Sequence, residues 1–233
     1  MADSWTPVTL HVWGVSMRDV PRAVLAMATD RRLVRAVPGL RFAKLLGTGS
    51  GRTFTPTDAD IGHWALLSSW SNLESMHDFE SSALNARWRR RSCEQLRVEL
   101  QPLASTGRWS GREPFSCAVP PEPEGPVAAL TRARLRPILA RRFWKAVPPV
   151  VEALGESPGL ALSLGIGEAP LGLQGTFSIW GSATDLSAFA YGSSAHRRVI
   201  EQTRRVGWYA EELFARFAVR RINGTYAGEP VVP

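Results

Sequence analysis

The chain repeats itself. Val37-Pro38-Gly39-Leu40 opens a block that later carries Ser69-Trp70 and then Phe79. Ser157-Pro158-Gly159-Leu160 opens a second block carrying Ile179-Trp180 and then Phe189. The spacing from Trp70 to Trp180 equals that from Phe79 to Phe189, whereas the Pro-Gly-Leu signals stand further apart, so the second copy is shorter in its middle. A third echo, Gly107-Arg108-Trp109-Ser110-Gly111 against Gly224-Thr225-Tyr226-Ala227-Gly228, closes each copy. Long-period self-similarity constrains architecture before any element is assigned. Two copies are too few for a solenoid, which leaves a duplicated domain closed on itself.

Each copy reads strand, helix, strand, strand, helix, strand. In the first, strands are expected over Val8–Val15, Leu40–Leu46, Trp64–Trp70 and within Leu96–Leu103. Helices are expected over Val20–Val37 and from Asn72 to about Glu94, the latter broken near Ser81-Ser82. Gly47–Gly62, rich in Gly, Thr, Asp and Pro, reads as a long loop. In the second copy the strands fall near Val127–Arg136, Leu160–Ile166, Thr176–Trp180 and Leu213–Arg221. The helices fall near Ile138–Leu154 and Thr184–Trp208. This is the split-βαβ, ferredoxin-like unit written twice. One such sheet leaves an apolar face open, and a second sheet covers it. The expected fold is therefore α+β: two fused ferredoxin-like (βαββαβ) repeats forming a dimeric-type α+β barrel within one chain, helices outside and a cavity between the sheets. Residues 1–119 form the first repeat, the proline-rich 120–126 a linker, and 127–233 the second repeat with the functional site.

Composition narrows the classes. Hydrophobic residues make up 44% of 233, enough for a sizeable core. No run reaches the length of a membrane span, the first twenty residues lack a signal peptide's pattern, and Cys93 and Cys117 form no framework. A cytoplasmic setting follows as the expectation. The net charge of +7, much of it in Arg87/Arg89/Arg90/Arg91 and Arg197/Arg198/Arg204/Arg205, calls for anionic partners. Without a nucleic-acid motif, most of it reads as solvated helix faces, with an acidic redox protein or an anionic membrane surface as the specific alternatives. Gly47-Thr48-Gly49-Ser50-Gly51 lacks the ending of a P-loop, and no zincin or G-x-S-x-G motif occurs.

Of the four histidines, His196 stands on a helix face with Val199, Ile200 and Thr203, while the neighbouring arginines point elsewhere. Its counterpart in the first copy is Ala86. Such an inward imidazole is either a hydrogen-bonded core residue or an axial ligand for a haem iron. On the strand opening the second copy, Arg132, Arg134 and Arg136 share one face. Guanidiniums there require anions, since unpaired buried charge is costly. Haem propionates or neighbouring Asp and Glu would both serve.

Several blocks resemble spheroidene monooxygenases. Phe42-Ala43-Lys44-Leu45-Leu46-Gly47-Thr48-Gly49 with Phe54-Thr55-Pro56 resembles their first-half signature. Ala128-Ala129-Leu130-Thr131-Arg132-Ala133, Arg142-Phe143-Trp144, and Gly165-Ile166-Gly167-Glu168 running to Thr176-Phe177-Ser178-Ile179-Trp180 are similar to their second half. So are His196 and the block Gly207-Trp208-Tyr209-Ala210-Glu211-Glu212-Leu213-Phe214-Ala215-Arg216-Phe217. The resemblance spans about Val8 to Gly228. It implies an acyclic carotenoid 2-ketolase using haem b and O2. The match together with the helix argument makes His196 the expected iron ligand, strand alternation offers Arg132 and Arg134 to the propionates, and Gln174, Ser178 and Lys44 are the polar groups expected near the cavity. It also implies an apolar substrate, and the basic surface favours an acidic, ferredoxin-type protein as any electron donor. Two other readings stay open: a haem enzyme of peroxidase or aldoxime-dehydratase type acting on a smaller substrate, and a haem-free ligand-binding module.

Overall fold

The computed structural model describes residues 5–50, 58–117, 124–136, 138, 154–155, 157–168, 175–192 and 208–233. The first repeat runs β1 (Val8–Val15), α1 (Val20–Arg35), β2 (Leu40–Gly49), β3 (Ala59–Trp70), α2 (Leu73–Asp78), a 3-10 turn (Phe79–Ser81), α3 (Ala83–Arg89) and β4 (Ser92–Gly107). The second runs β5 (Val127–Leu135), β6 (Leu160–Gly167), β7 (Gly175–Trp180), α4 (Ala183–Ser187), a π-helical turn (Ala188–Gly192) and β8 (Tyr209–Tyr226), with the two-residue β9 (Glu229–Pro230) after it. Most of the helix expected over Ile138–Leu154, residues 193–207 of that expected over Thr184–Trp208, and most of the linker lie outside the described residues.

The antiparallel strands follow the order β4-β1-β3-β2-β6-β7-β5-β8, and β4 pairs with β8 to close the ring. Each half has the ferredoxin-like strand order, and the chain is an α+β barrel of two such units. The closing ladder is long, from Leu96 opposite Gly224 to Gly107 opposite Leu213. The opposite seam is short, with only Gly47 to Gly49 of β2 meeting Gly165 to Gly167 of β6.

The two halves share local irregularities. Leu40 pairs with Trp70 and Leu160 with Trp180, and each ladder slips just after that pair. Asn72 caps α2 through Ser75 N and Ser182 caps α4 through Asp185 N, each a side-chain acceptor at the N-cap. The closing turns match too. Gly107 and Gly224 both have φ of 94°, and Ser110 and Ala227 both have φ of 54°. A Cβ on Gly107 would lie 2.2 Å from the Glu212 carbonyl oxygen, and one on Gly224 1.9 Å from that of Gln95. Only glycine fits either position.

Strand alternation sorts the side chains into two layers. Val8, Leu10, Val12, Leu67, Val98 and Leu100 of the first half meet Ala128, Leu130, Leu164, Phe177, Ile179 and Phe217 of the second inside the ring. This corrects the expected cavity between the sheets. Eight strands enclose just enough room for their own side chains, and here the interior is the main apolar core. Outside, α1 to α3 cover the first half with Trp13, Trp64, Trp70 and Trp88.

Three expected boundaries also move. β4 and β8 begin earlier and run longer than their apolar centres, because charged and polar residues such as Glu94 and Glu211 belong to paired strand. β2 and β3 extend into the expected 47–62 loop, narrowing it. The helical region after Asn72 breaks at Phe79–Ser81 as expected, with Ser82 capping the second helix through Asn85 N, but it ends at Arg89 and not near Glu94.

Candidate functional site

One rim of the barrel holds a charged network. Lys44 on β2 and Arg132 on β5 stand on the inner wall, two residues beyond the core residues Phe42 and Leu130. Glu168 follows β6. Its carboxylate accepts from Lys44 Nζ at 2.6 Å, Trp109 Nε1 at 2.7 Å and an Arg132 guanidinium nitrogen at 2.7 Å. A second carboxylate, Glu211 at the start of β8, takes another Arg132 N–H and accepts from the backbone N–H groups of Ser110 and Gly111 at 3.0 and 2.8 Å. The Arg132 guanidinium also lies over the Trp109 ring, 5.4 Å from its centroid. Burial works to raise both carboxyls. The Lys44, Trp109 and Arg132 donors hold Glu168 below its usual range, and the turn amides with Arg132 do the same for Glu211.

The duplication places a related network at the other rim. Glu94 at the start of β4 accepts from the backbone N–H groups of Ala227 and Gly228 at 3.1 and 2.7 Å, as Glu211 does from the first turn. Glu94 also accepts from Thr225 Oγ1 at 2.8 Å and bonds His63 Nε2 at 2.9 Å, while Asp60 holds His63 Nδ1 at 2.6 Å. The bond to Asp60 is the main cause that raises the His63 pKa, ahead of the opposing burial. Tyr226, tilted against His63 with centroids 4.8 Å apart, is pushed up to about 12 by burial and by the Asp60 and Glu94 charges. Each half thus lends a carboxylate to the closing turn of the other.

The outer faces of the two half-sheets differ. Across the first half, one row reads Leu45, Leu66, His11 and Arg97 in register. The matching row of the second half reads Gly165, Thr176, Thr131 and Phe214. The next row is Ser163, Ser178, Ala129 and Arg216. In the first half this layer is filled: His11 is 3% exposed, stacks on Trp13 at 5.6 Å and bonds Glu80 at 2.8 Å. In the second half Thr131, Ser163 and Thr176 are half-buried although they sit on paired strands, and Phe214 and Arg216 are exposed. Small and hydroxylated side chains form the floor of that outer face.

The sequence-derived candidates separate accordingly. Ser178 is on this outer floor, buried, with its Oγ accepting from Trp180 Nε1 at 2.9 Å. Lys44, Arg132 and Arg134 stand on the inner face. The barrel wall therefore parts Ser178 from Lys44, which corrects their expected grouping around one cavity. Arg132 receives its anions from Glu168 and Glu211, the protein alternative to propionates, and Arg134 is exposed at the strand end opposite Glu211. His196 and Gln174 lie outside the described residues. Sequence reasoning missed Glu168, Glu211, Glu94 and Asp60. Two of these were within reach, because Glu94 and Glu211 keep the same spacing as the Gly107 and Gly224 turns they bind. Among the described residues no group of three or more His, Cys, Asp or Glu side chains is arranged to hold a metal ion.

No protein-family model matches the chain. A spheroidene monooxygenase of Rhodobacter capsulatus is 37% identical over 213 residues, covering 90% of this chain and 88% of that protein. A spheroidene monooxygenase of Cereibacter sphaeroides is 33% identical over 228 residues, covering 97% of this chain and 70% of that protein. Among solved structures, an aldoxime dehydratase matches with a TM-score of 0.59 at 12% identity, over 94% of this chain and 83% of that one. That likeness is one of fold.

Proposed function

The chain belongs to the spheroidene monooxygenase family, and from that premise we propose that it is a haem-dependent enzyme that inserts oxygen from O2 into an acyclic carotenoid to give a ketone. That it is a monooxygenase using O2 follows from the family; the cofactor and substrate are our reading. The observation that carries the haem assignment is the outer floor of the second half. Where the first half has Leu45, Leu66 and His11, the second has Gly165, Thr176 and Thr131. The smaller side chains would leave room for a flat prosthetic group against this face of the sheet.

The donor set is compatible with that fit. His196, the histidine without a first-half counterpart, would ligate the iron, and Arg216 is an exposed cation on the outer floor. When bound, haem would supply O2 binding and activation. The chain's own contribution is positional. Ala129, Gly165 and the Ser163, Thr131 and Thr176 side chains set the depth of the floor, and their hydroxyls are its hydrogen-bonding groups. Trp180 fixes Ser178 at its edge, with Phe189 stacked on Trp180 at 5.3 Å. Lys44 and Arg132 act from the inner wall by holding Glu168, so their role is to rigidify the β2, β5 and β6 ends.

Each insertion consumes one O2, two electrons and two protons, and releases one water. Two insertions at one carbon give a gem-diol, which loses water to leave the ketone. The electrons call for a donor, and the basic surface favours an acidic one. The test is the absorption spectrum of purified and haem-reconstituted protein, followed by His196→Ala. We expect a Soret band in the wild type and its loss or weakening in the variant, with unchanged far-UV dichroism and no ketone formed. A wild-type Soret band in His196→Ala would overturn the ligand assignment, and no haem uptake by the wild type would overturn the cofactor.

A further inference from the structure

The outward face of α1 and the cleft beside it combine exposed hydrocarbon with unusually dense positive charge. α1 buries Ala23, Ala26, Met27, Asp30 and Val34 as one stripe. At 3.6 residues per turn, Leu25 and Arg32 project from the side opposite that stripe. Leu25 is 63% exposed, Val24 40% and Leu33 47%, and Met17 just before the helix is 69% exposed. The helix carries four arginines, Arg22, Arg31, Arg32 and Arg35. Its one carboxylate, Asp30, is fully buried and taken by Arg87.

Arg31 and Arg35 turn toward a cleft of about 720 Å³, which Arg41, Lys44 and Arg112 also line. Its lining carboxylate, Glu168, is already bonded to Lys44 and Arg132. The cleft opens where the barrel wall parts, because β2 meets β6 only at Gly47 to Gly49 and leaves residues 40–46 without a β6 partner. Val24 stands on the same flank of the helix, seven residues before Arg31 and eleven before Arg35.

We propose that this face docks the protein on a bilayer of anionic phospholipid, with Leu25 and Val24 entering the headgroup–acyl boundary and the cleft arginines taking lipid phosphates. A bilayer offers that layering, anions at the surface and hydrocarbon about 5–10 Å beneath it. Arginine suits the arrangement because its aliphatic stem can lie in the apolar layer while its guanidinium reaches the phosphate plane. Nucleic acid would match the charge and leave the exposed leucines without a partner. The inference rests on the proposed reading only for its purpose, since an acyclic carotenoid dissolves in lipid and reaches the enzyme from there.

The experiment is vesicle flotation of the full-length protein, with no substrate present. Vesicles of phosphatidylcholine alone are compared with vesicles containing phosphatidylglycerol. We expect co-flotation with the second and little with the first. Arg31→Ala with Arg35→Ala should lower partitioning about twenty-five-fold, at roughly fivefold per arginine near an anionic surface. Leu25→Asp should lower it on the same vesicles, and Arg221→Ala, on β8 away from this face, should leave it unchanged. Circular dichroism checks that each variant is folded. Excess inorganic phosphate separates a phosphate site from a bilayer surface: failure to compete supports the bilayer, and full competition overturns it. Equal flotation on neutral vesicles, no effect of the Arg31/Arg35 and Leu25 variants, or capture by an acidic protein with no flotation at all would each overturn the proposal. A carotenoid reading that fails leaves these outcomes untouched.

Discussion

Replacing Glu168 by Ala should be a costly change at the Lys44 rim. Trp109 is 1% exposed, and its indole N–H donates to Glu168 at 2.7 Å. Leaving that donor unpaired costs roughly 1–3 kcal/mol. Arg132 is 3% exposed and loses one of two carboxylates. Breaking a buried pair outright costs about 3–5 kcal/mol. Here Glu211 remains, and the Glu168 side chain is 28% exposed, so we assign about 1–2 kcal/mol to this part. Lys44 keeps Ser110 Oγ at 2.6 Å and adds little. The expected loss is about 3 kcal/mol, a fall in Tm of roughly 6–12 °C for a chain of this size. The assay is urea denaturation with m held constant, together with calorimetry. Glu168→Gln keeps an acceptor for Trp109 and should lose only about 1 kcal/mol. Glu113→Ala, which removes the exposed pair with Arg108, should stay within about 0.5 kcal/mol of wild type. A Glu168→Ala loss below about 1 kcal/mol, or one no larger than that of Glu168→Gln, would refute the reasoning that this carboxylate joins β2, β5 and the first closing turn.

The opposite rim should show a pH signature. His63 has a raised pKa, so its contribution is complete below its ordinary 6.5 and is lost as pH rises through the raised value. Asp60 and Glu94 are lowered, so theirs is complete above their ordinary 3.8 and 4.5 and is lost as pH falls through the lowered values. The stability difference between wild type and His63→Gln should therefore be greatest between 4.5 and 6.5 and shrink on both sides; a pH-independent difference would count against the clamp. Gly107→Ala and Gly224→Ala should each cost about 3 kcal/mol or more, from a left-handed φ and a clash with backbone. Near-wild-type melting of either would mean that the turn relaxes.

The repeat itself was enough to give the fold class. Pro-Gly-Leu turns, the Trp70/Trp180 strand ends and the Gly107/Gly224 turns are local signals, set by backbone sterics and side-chain alternation that any short window displays. The same is true of His196, singled out by helical spacing and by the absence of a partner at Ala86. What alternation cannot tell is which face of a strand meets the other sheet. On β5, Ala128-Leu130 and Ala129-Thr131 are both plausible core faces, and only closure of the ring through β4 and β8 turned the first inward and left the second as a floor. The expected inner cavity failed because an eight-stranded ring has room only for its own side chains. Glu168 is the other case. Its partners Lys44, Trp109 and Arg132 come from three separate stretches of chain, and no spacing in the sequence links them. A carboxylate there becomes legible only when the wall brings a buried guanidinium, an indole N–H and an ammonium within bonding distance, because burial is what makes each of them require a partner.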